Sequence, residues 1–253
     1  MTGILLSGCN GKMGKAVTKS VAESTDCEIV GGIDIFSESL SGYPVFSTPA
    51  NVTNDITEKA DVIIDFSNPA ALSGLLEYAV KNSIPAVIST TGLSDTQINL
   101  IKDASKKIPV FFSANMSLGV NLVCELAKKA ANVLGDAFDI EIIEMHHNQK
   151  IDAPSGTALM IADSIKEELD GDVKYEYDRH SKREKRTKKE IGIHAVRGGT
   201  ITGEHQVIFA GLDEIITISH SARSKELFAT GAISAAKFIC GKPAGLYKMA
   251  DML

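Results

Sequence analysis

The strongest constraint on the fold is an alternation of short apolar segments with longer amphipathic ones over the first half of the chain. The apolar segments are rich in Val, Ile and Phe, which is typical of strands covered on both faces. The predicted strands are GILLSGC (3–9), CEIVGGID (27–34), ADVIIDFS (60–67), IPAVIST (84–90) and IPVFFSA (108–114). Helix-like stretches at 12–24, 69–82 and 94–107 separate them, and Asn68 and Ser94 are predicted N-caps. The alternation predicts an α/β fold with a Rossmann-like, doubly wound parallel sheet.

The pattern changes after Asn115 and predicts that the second half of the chain contains an α+β unit. The predicted helices are 118–134, 156–169 and 225–241, and the predicted strands are 138–147, 191–198, 200–211 and 213–222. A polar, basic stretch at 175–190 separates two of these elements. The short Gly-Gly and Gly-Leu-Asp breaks between the last three strands predict antiparallel neighbours. We therefore expect a mixed or antiparallel sheet in this half.

Composition excludes several classes of protein. The formal net charge of −6 argues against a nucleic-acid binder, whose binding surface would be basic. No apolar run approaches the roughly twenty residues of a membrane helix, and the N-terminus lacks the pattern of a signal peptide. The four cysteines are far apart, so we expect reduced, mostly buried thiols in a cytoplasmic protein without a membrane partner.

The turn after the first predicted strand carries the glycine pattern GCNGKMG, Gly8 to Gly14. In a doubly wound sheet this turn binds a dinucleotide pyrophosphate at a helix N-terminus. Asn10 replaces a glycine of the usual GxGxxG pattern, and Asn tolerates a left-handed backbone. Asp34 follows Gly14 by twenty residues, where a carboxylate accepts hydrogen bonds from a ribose. The alternative is an ordinary strand–helix turn.

The acidic residue also bears on the choice of cofactor. Asp34 would repel a 2′-phosphate, and residues 35–38 offer no arginine to bind one. The sequence therefore favours NADH over NADPH. Two polar turns at the ends of predicted strands, Ser89–Gly92 and Ser113–Ser117, are candidates for the nicotinamide side of the site.

The segment EMHHNQKIDAPSGTA (144–158) concentrates the candidate chemistry of the second half. His146 and His147 can act as acid or base, and Lys150 supplies a cation. The amides of Gly156 and Thr157 open a predicted helix and would attract a carboxylate. Two alternatives remain open: a capped helix with solvated histidines, and a metal site that also uses Glu144. His194, His205 and His220 lie in predicted strands and are interpreted as structural or surface residues. The basic run 179–189 is interpreted as a solvated loop, with the alternative that some of its arginines reach an anionic substrate.

The segment 144–158 resembles the signature of the 4-hydroxy-tetrahydrodipicolinate reductase (dihydrodipicolinate reductase) family. The resemblance covers nearly the whole chain, because GCNGKMG, DFSNPAA, STTG, SANMSLGVN, VRGGTITGEHQVIFAG and GKPAGLYKMADML follow in the order of the family. It implies NAD(P)H-dependent reduction of 4-hydroxy-tetrahydrodipicolinate to tetrahydrodipicolinate in lysine and diaminopimelate biosynthesis. It also implies a cytoplasmic homotetramer. The domains expected are a dinucleotide-binding domain of residues 1–116 and 222–253, and a substrate-binding and oligomerisation domain of residues 117–221.

The resemblance also implies roles for individual residues. His146 would be the proton donor and Lys150 its cationic partner, while His147, Gly156 and Thr157 would bind the substrate carboxylates. The implied cofactor-binding residues are Gly8, Cys9, Asn10, Gly11, Lys12, Met13, Asp34, Thr90, Thr91, Gly92, Ala114, Asn115 and Met116, with no metal. Ile35 stands where the family often has a basic residue, which again favours NADH. The rival interpretations are a non-enzymatic dinucleotide sensor and another two-domain dehydrogenase, such as an aspartate or homoserine dehydrogenase.

Overall fold

The chain divides into two compact units. The structure, a computed structural model, describes residues 1–36, 38 and 42–253. The first unit comprises Met1–Ser117 with Lys225–Leu253, and the second comprises Leu118–Ser224. Ser37, one of the residues on which the cofactor prediction depends, lies outside the described residues. Within the described part of the chain, no helix is long and apolar enough to cross a membrane.

The first unit contains a seven-stranded parallel sheet, which confirms the predicted fold class. Its strands are β1 (Thr2–Ser7), β2 (Cys27–Ile33), β3 (Val45–Phe46), β4 (Val62–Asp65), β5 (Ala86–Ile88), β6 (Pro109–Phe112) and β12 (Gly245–Tyr247). They are ordered β12-β6-β5-β4-β1-β2-β3. The two edge strands β3 and β12 were not predicted, whereas the five between them lie within the predicted ranges or within one residue of them.

Helices cover both faces of this sheet, as the apolar strands require. They are α1 (Lys12–Ala22), α2 (Asn54–Lys59), α3 (Leu72–Lys81), α4 (Asp95–Ser105) and α7 (Glu226–Ile239). Alternate residues of β1 point to opposite faces, so Ile4 and Leu6 pack in the core beside α1 and α7, while Leu5 packs in the core beside α3 and α4. The predicted caps are confirmed: Asn68 accepts a hydrogen bond from the Ala70 amide, and Ser94 forms a capping box with Gln97.

The second unit contains a five-stranded mixed sheet with two helices on one face. Its elements are α5 (Leu118–Leu134), β7 (Asp139–His146), α6 (Gly156–Lys166), β8 (Lys174–Glu176), β9 (Glu190–Arg197), β10 (Glu204–Ala210) and β11 (Ile215–Ser221). The strands are ordered β11-β10-β7-β9-β8. Residues of β7 alternate between partly exposed and buried, and the buried ones, such as Ile140 and Ile142, pack against α5 and α6. The predicted mixed sheet is confirmed.

One predicted strand pairing is wrong. The Gly198-Gly199 break does not join neighbouring strands, because β7 lies between β9 and β10 and pairs with both along its length. The glycines instead lead the chain across the end of β7, where the Gly198 amide donates to the His146 carbonyl at 2.9 Å. The Gly-Leu-Asp break does connect antiparallel neighbours, β10 and β11, as predicted.

The basic run 179–189 is mostly exposed, as predicted, but Arg186 is partly buried. Its guanidinium binds the carboxylates of Asp139 at 2.9 Å and Glu141 at 3.0 Å, and it also donates to the carbonyls of Ile140 and Glu190. Arg186 therefore anchors this loop to the starts of β7 and β9. The four cysteines are all unpaired, and three of them are buried.

Candidate functional site

The glycine loop of the first unit needs its glycines for close backbone contacts. Gly8 has a φ of +77°, and a Cβ there would lie 2.6 Å from the carbonyl oxygen of Phe66. A Cβ at Gly14, in the first turn of α1, would lie 2.2 Å from the Gly8 carbonyl oxygen. No side chain other than a hydrogen fits at either position, so the loop lies tight against the start of α1.

The expectation of a left-handed backbone at Asn10 is wrong. Ser83 is the one non-glycine residue with a positive φ in the part of the chain that the structure describes. Asn10 is selected instead by its side chain, whose amide nitrogen donates to the carbonyls of Phe36 at 2.6 Å and Glu38 at 3.2 Å. These bonds tie the glycine loop to the segment after β2.

Asp34 completes this connection. One carboxylate oxygen accepts from the Asn10 amide at 3.0 Å and the other from the Phe36 amide at 3.1 Å. Each oxygen has a second lone pair, so the carboxylate can still accept from a ribose hydroxyl. A cavity of about 950 Å³ lies beside it, and Gly8, Asn10, Gly11, Asp34 and Ile35 are among its lining residues.

The other predicted cofactor-binding residues differ in whether their side chains are accessible to a ligand. The Cys9 and Met116 side chains are buried in the core, so only their backbones could contact a ligand. Thr90 is also buried, and its hydroxyl donates to the Asp65 carboxylate at 2.6 Å. Exposed positions are Gly11, Lys12, Thr91, Gly92 and Ala114, and partly exposed ones are Asn10, Met13 and Asn115.

The second unit places a buried carboxylate at the end of β7. Glu144 is fully buried, and its two oxygens accept the two terminal nitrogens of Arg197, each at 2.7 Å. One oxygen also contacts Nδ1 of His146 at 2.6 Å, and the other accepts from the Ser155 amide at 3.0 Å. One carboxylate thus holds both the candidate acid and the first turn of α6.

The charges in this cluster stabilise one another. Burial acts to raise the pKa of Glu144, but the hydrogen bonds from Arg197, His146 and Ser155 outweigh burial and lower that pKa below its ordinary value. The same hydrogen bonds from Arg197 to Glu144 raise the pKa of the guanidinium. Glu144 is therefore an ionised acceptor near neutral pH.

Ser155 and His205 continue the cluster towards α6. The Ser155 hydroxyl caps the helix by accepting from the Ala158 amide at 3.2 Å, and it lies 3.0 Å from Nε2 of His205. The His205 ring packs edge-on against His146, with ring centroids 5.2 Å apart. Burial, together with the neighbouring His146, lowers the pKa of His205 to about 4, so His205 is neutral at physiological pH.

The remaining predicted residues lie around this cluster. Lys150 forms an ion pair with Asp152 at 2.9 Å, and its amide donates to the His147 carbonyl. Gly156 is exposed at the first position of α6, and Thr157 follows it, partly exposed. Among the described residues, no group of three His, Cys, Asp or Glu side chains is arranged to hold a metal ion, and Glu144 already accepts four hydrogen bonds.

The sequence interpretation missed the residues that support His146. From the sequence, Glu144 is a candidate only as a metal ligand, and no pattern assigns Arg197, Ser155 or His205 a role at the site. Arg197 does lie in the family-like string VRGGTITGEH, which was the available signal. Its pairing with Glu144 depends on the register of β7 and β9, which the string does not encode.

Comparisons with known proteins cover the chain from end to end. The family model described as "Dihydrodipicolinate reductase, N-terminus" matches residues 2–116, and the one described as "Dihydrodipicolinate reductase, C-terminus" matches residues 119–253. The 4-hydroxy-tetrahydrodipicolinate reductases of Caldanaerobacter subterraneus and Clostridium tetani are 53% and 50% identical over the whole chain and over 98% and 97% of their own lengths. A dipicolinate-bound dihydrodipicolinate reductase from Paenisporosarcina has a TM-score of 0.82 at 26% identity, with all of both chains covered.

Proposed function

Because the chain belongs to the dihydrodipicolinate reductase family, we propose that it reduces 4-hydroxy-tetrahydrodipicolinate to tetrahydrodipicolinate in lysine and diaminopimelate biosynthesis. Membership in this family confirms the prediction that the protein is an NAD(P)H-dependent oxidoreductase, and it excludes the interpretation as a non-enzymatic dinucleotide sensor. The main structural support for this reaction is that the Glu144 carboxylate binds both the His146 imidazole and the first turn of α6. An acid and an anion-binding helix start are thereby held together.

The first unit, close to the predicted domain of residues 1–116 and 222–253, is the proposed cofactor-binding unit. Its glycine loop leaves no room for a Cβ at Gly8 and presents the amides of α1, which suits a pyrophosphate. Asp34 and Ile35 line the adjacent cavity, and a carboxylate followed by an apolar side chain favours NADH over NADPH. The turns at 90–92 and 114–116, which are exposed at Thr91, Gly92 and Ala114, are the proposed nicotinamide side. When bound, the cofactor supplies the hydride.

The second unit is the proposed substrate-binding unit, and its residues have separate tasks. The exposed start of α6 at Gly156 and Thr157 provides amides and the positive end of the helix dipole for one substrate carboxylate. Lys150 and His147 provide further donors for the diacid. His146 provides the proton, because its ring is held by Glu144 on one side and its Nε2 faces the small residue Gly203 on the other.

We further propose a homotetramer in the cytoplasm, assembled through the sheet of the second unit. The face of this sheet that lies opposite α5 and α6 carries apolar side chains that the unit itself does not bury completely. They include Ile143, Met145 and Ile208, which are partly exposed, and Val196, which is 43% exposed. Apolar side chains that remain partly exposed together on one sheet face are typical of a subunit interface.

The test is turnover of freshly generated 4-hydroxy-tetrahydrodipicolinate, followed by the nicotinamide absorbance of NADH. We expect the wild type to oxidise NADH, and His146→Gln to lower kcat about 10²- to 10⁴-fold with little change in KM, as expected for loss of a general acid. His194→Gln is the matched control, because His194 also binds a glutamate of β7, Glu141, but lies at 44% exposure. A large rise in KM with intact kcat in His146→Gln would contradict the assigned role.

A further inference from the structure

The four hydrogen bonds to Glu144 have a consequence for the histidine beside it. An ionised carboxylate only accepts hydrogen bonds, and Nδ1 of His146 lies 2.6 Å from one of its oxygens. Nδ1 must therefore carry a proton. We propose that Glu144 is a positioning residue that fixes the proton of His146 on Nδ1, and that Arg197 holds Glu144 for this task.

Arg197 meets the requirements for holding the carboxylate. Its two terminal nitrogens bind the two oxygens of Glu144 in the parallel, bidentate geometry that only arginine provides. The same nitrogens also donate to the carbonyls of Val196 and Asp152, so the guanidinium itself cannot rotate freely. The pair keeps a buried carboxylate charged, since an ionised group without a partner would be strongly disfavoured at this depth.

Fixing one proton on Nδ1 leaves Nε2 as the nitrogen that exchanges protons. Nε2 lies on the far side of the ring and faces Gly203, where a Cβ would approach to 3.0 Å. In the proposed reaction, which is the one part of this inference that rests on the proposed function, the 4-hydroxyl of the substrate leaves as water together with a proton of the adjacent ring carbon, and hydride addition to the resulting conjugated imine gives an enamine. The electron pair of this enamine forms a C–H bond with the Nε2 proton. The Nε2–H bond breaks, its electron pair stays on nitrogen, and the imidazolium becomes a neutral ring protonated on Nδ1. Solvent then restores the proton on Nε2.

Glu144 also fixes where the acid lies relative to the anion-binding turn. The oxygen that does not contact His146 accepts from the Ser155 amide at 3.0 Å, and Ser155 is the N-cap of α6. A change in the position of Glu144 would therefore move the ring and the helix start together. This coupling distinguishes Glu144 from an ordinary buried ion pair.

The same strand provides a matched control. Glu141 of β7 contacts a histidine, His194, at 2.7 Å and an arginine, Arg186, at 3.0 Å, so it has the same two kinds of side-chain partner as Glu144. Its side chain is 26% exposed, and the alternation of β7 places it on the opposite face of the sheet. Glu141→Gln removes an equivalent carboxylate from a site without a proposed role in the reaction.

The experiment measures the ¹⁵N chemical shifts of the two ring nitrogens of His146, at a pH above the range in which imidazole titrates, with the signals assigned by their loss in His146→Gln. We expect a proton on Nδ1 in the wild type and in Glu141→Gln. In Glu144→Gln, whose amide can donate to Nδ1, we expect a population with the proton on Nε2. We also expect kcat to fall about 10²- to 10⁴-fold, as for a misplaced imidazole tautomer, with little change in KM.

Two results would overturn the inference: a wild-type His146 protonated on Nε2, or a Glu144→Gln enzyme with unchanged ¹⁵N shifts and wild-type kcat. If Glu144→Gln does not fold because the partly buried Arg197 loses its counter-charge, Glu144→Gln with Arg197→Met removes both charges, and the same criteria apply to it. A wild-type protein that shows the Nδ1 proton but does not turn over the diacid would refute the proposed function and leave the tautomer assignment standing.

Discussion

The buried His205 should make the stability of the protein depend on pH between neutrality and pH 5. The folded chain keeps this ring neutral, with a pKa of about 4, whereas in the unfolded chain it takes up a proton below about pH 6.5. The unfolded state therefore binds more protons as the pH falls, and the free energy of unfolding decreases. The full shift corresponds to about 3 kcal/mol, of which about 2 kcal/mol is lost by pH 5.

His205 and the neighbouring Glu144 affect the stability of the protein in different pH ranges. The pKa of Glu144 is lowered in the fold, so its stabilisation is lost only as the pH falls below the ordinary value of 4.5. Burial also lowers the pKa of His220, which acts in the same direction as His205. Because His220 is present in both proteins, a comparison of wild type with His205→Gln isolates the contribution of His205.

The assay is urea unfolding followed by circular dichroism at pH 7 and pH 5. The wild type should lose about 2 kcal/mol more than His205→Gln between these two values, even though the variant is less stable at pH 7 because it lacks the bond to Ser155. His194→Gln, on the same sheet, controls for the loss of a histidine as such. Equal losses in wild type and His205→Gln would refute the argument that His205 is buried as a neutral ring.

Three further substitutions test other parts of the structure. Gly203→Ala places a methyl group 3.0 Å from Nε2 of His146. We expect kcat to fall about 10- to 100-fold while the circular dichroism spectrum stays unchanged. A wild-type kcat would contradict the placement of Nε2. Ile35→Arg adds a cation beside Asp34 and should raise kcat/KM for NADPH about tenfold or more, and no gain would count against the proposed adenosine pocket. Val196→Glu combined with Met145→Glu should convert the proposed tetramer to smaller species in sedimentation velocity, whereas an unchanged mass would exclude this sheet face as the interface.

The parts of the fold that the sequence predicts are those with a strong local signal. The central strands β1, β4 and β5 are continuous apolar runs, and helix α5 has an amphipathic pattern over Leu118–Leu134, as predicted. Strands β3 and β12 have two and three residues, too few for any periodicity to develop. Their pairing comes from the sheet edge that the longer strands already present, which is a tertiary effect.

In the candidate site, too, only the residues with a local sequence signal could be predicted. His146, Lys150 and Gly156 lie within one short segment, so a local string of residues identifies them as candidates. The residues that support His146 come from elsewhere: Arg197 from β9 and His205 from β10. Their contribution depends on which strands are neighbours, and no local pattern encodes that.

The register of β7 with its two neighbours decides whether the cluster forms at all. Parallel pairing with β9 sets His146 opposite Arg197, and antiparallel pairing with β10 sets Glu144 opposite His205. Side chains of paired residues share a face, so these groups meet on the face that α6 covers. A hairpin of β9 and β10, as the Gly198-Gly199 break had predicted, would have joined Arg197 to the wrong strand and left Glu144 buried without a counter-charge. The crossover past the end of β7 is therefore a requirement of the site, because it brings the Arg197 cation to the strand that carries the buried Glu144 carboxylate.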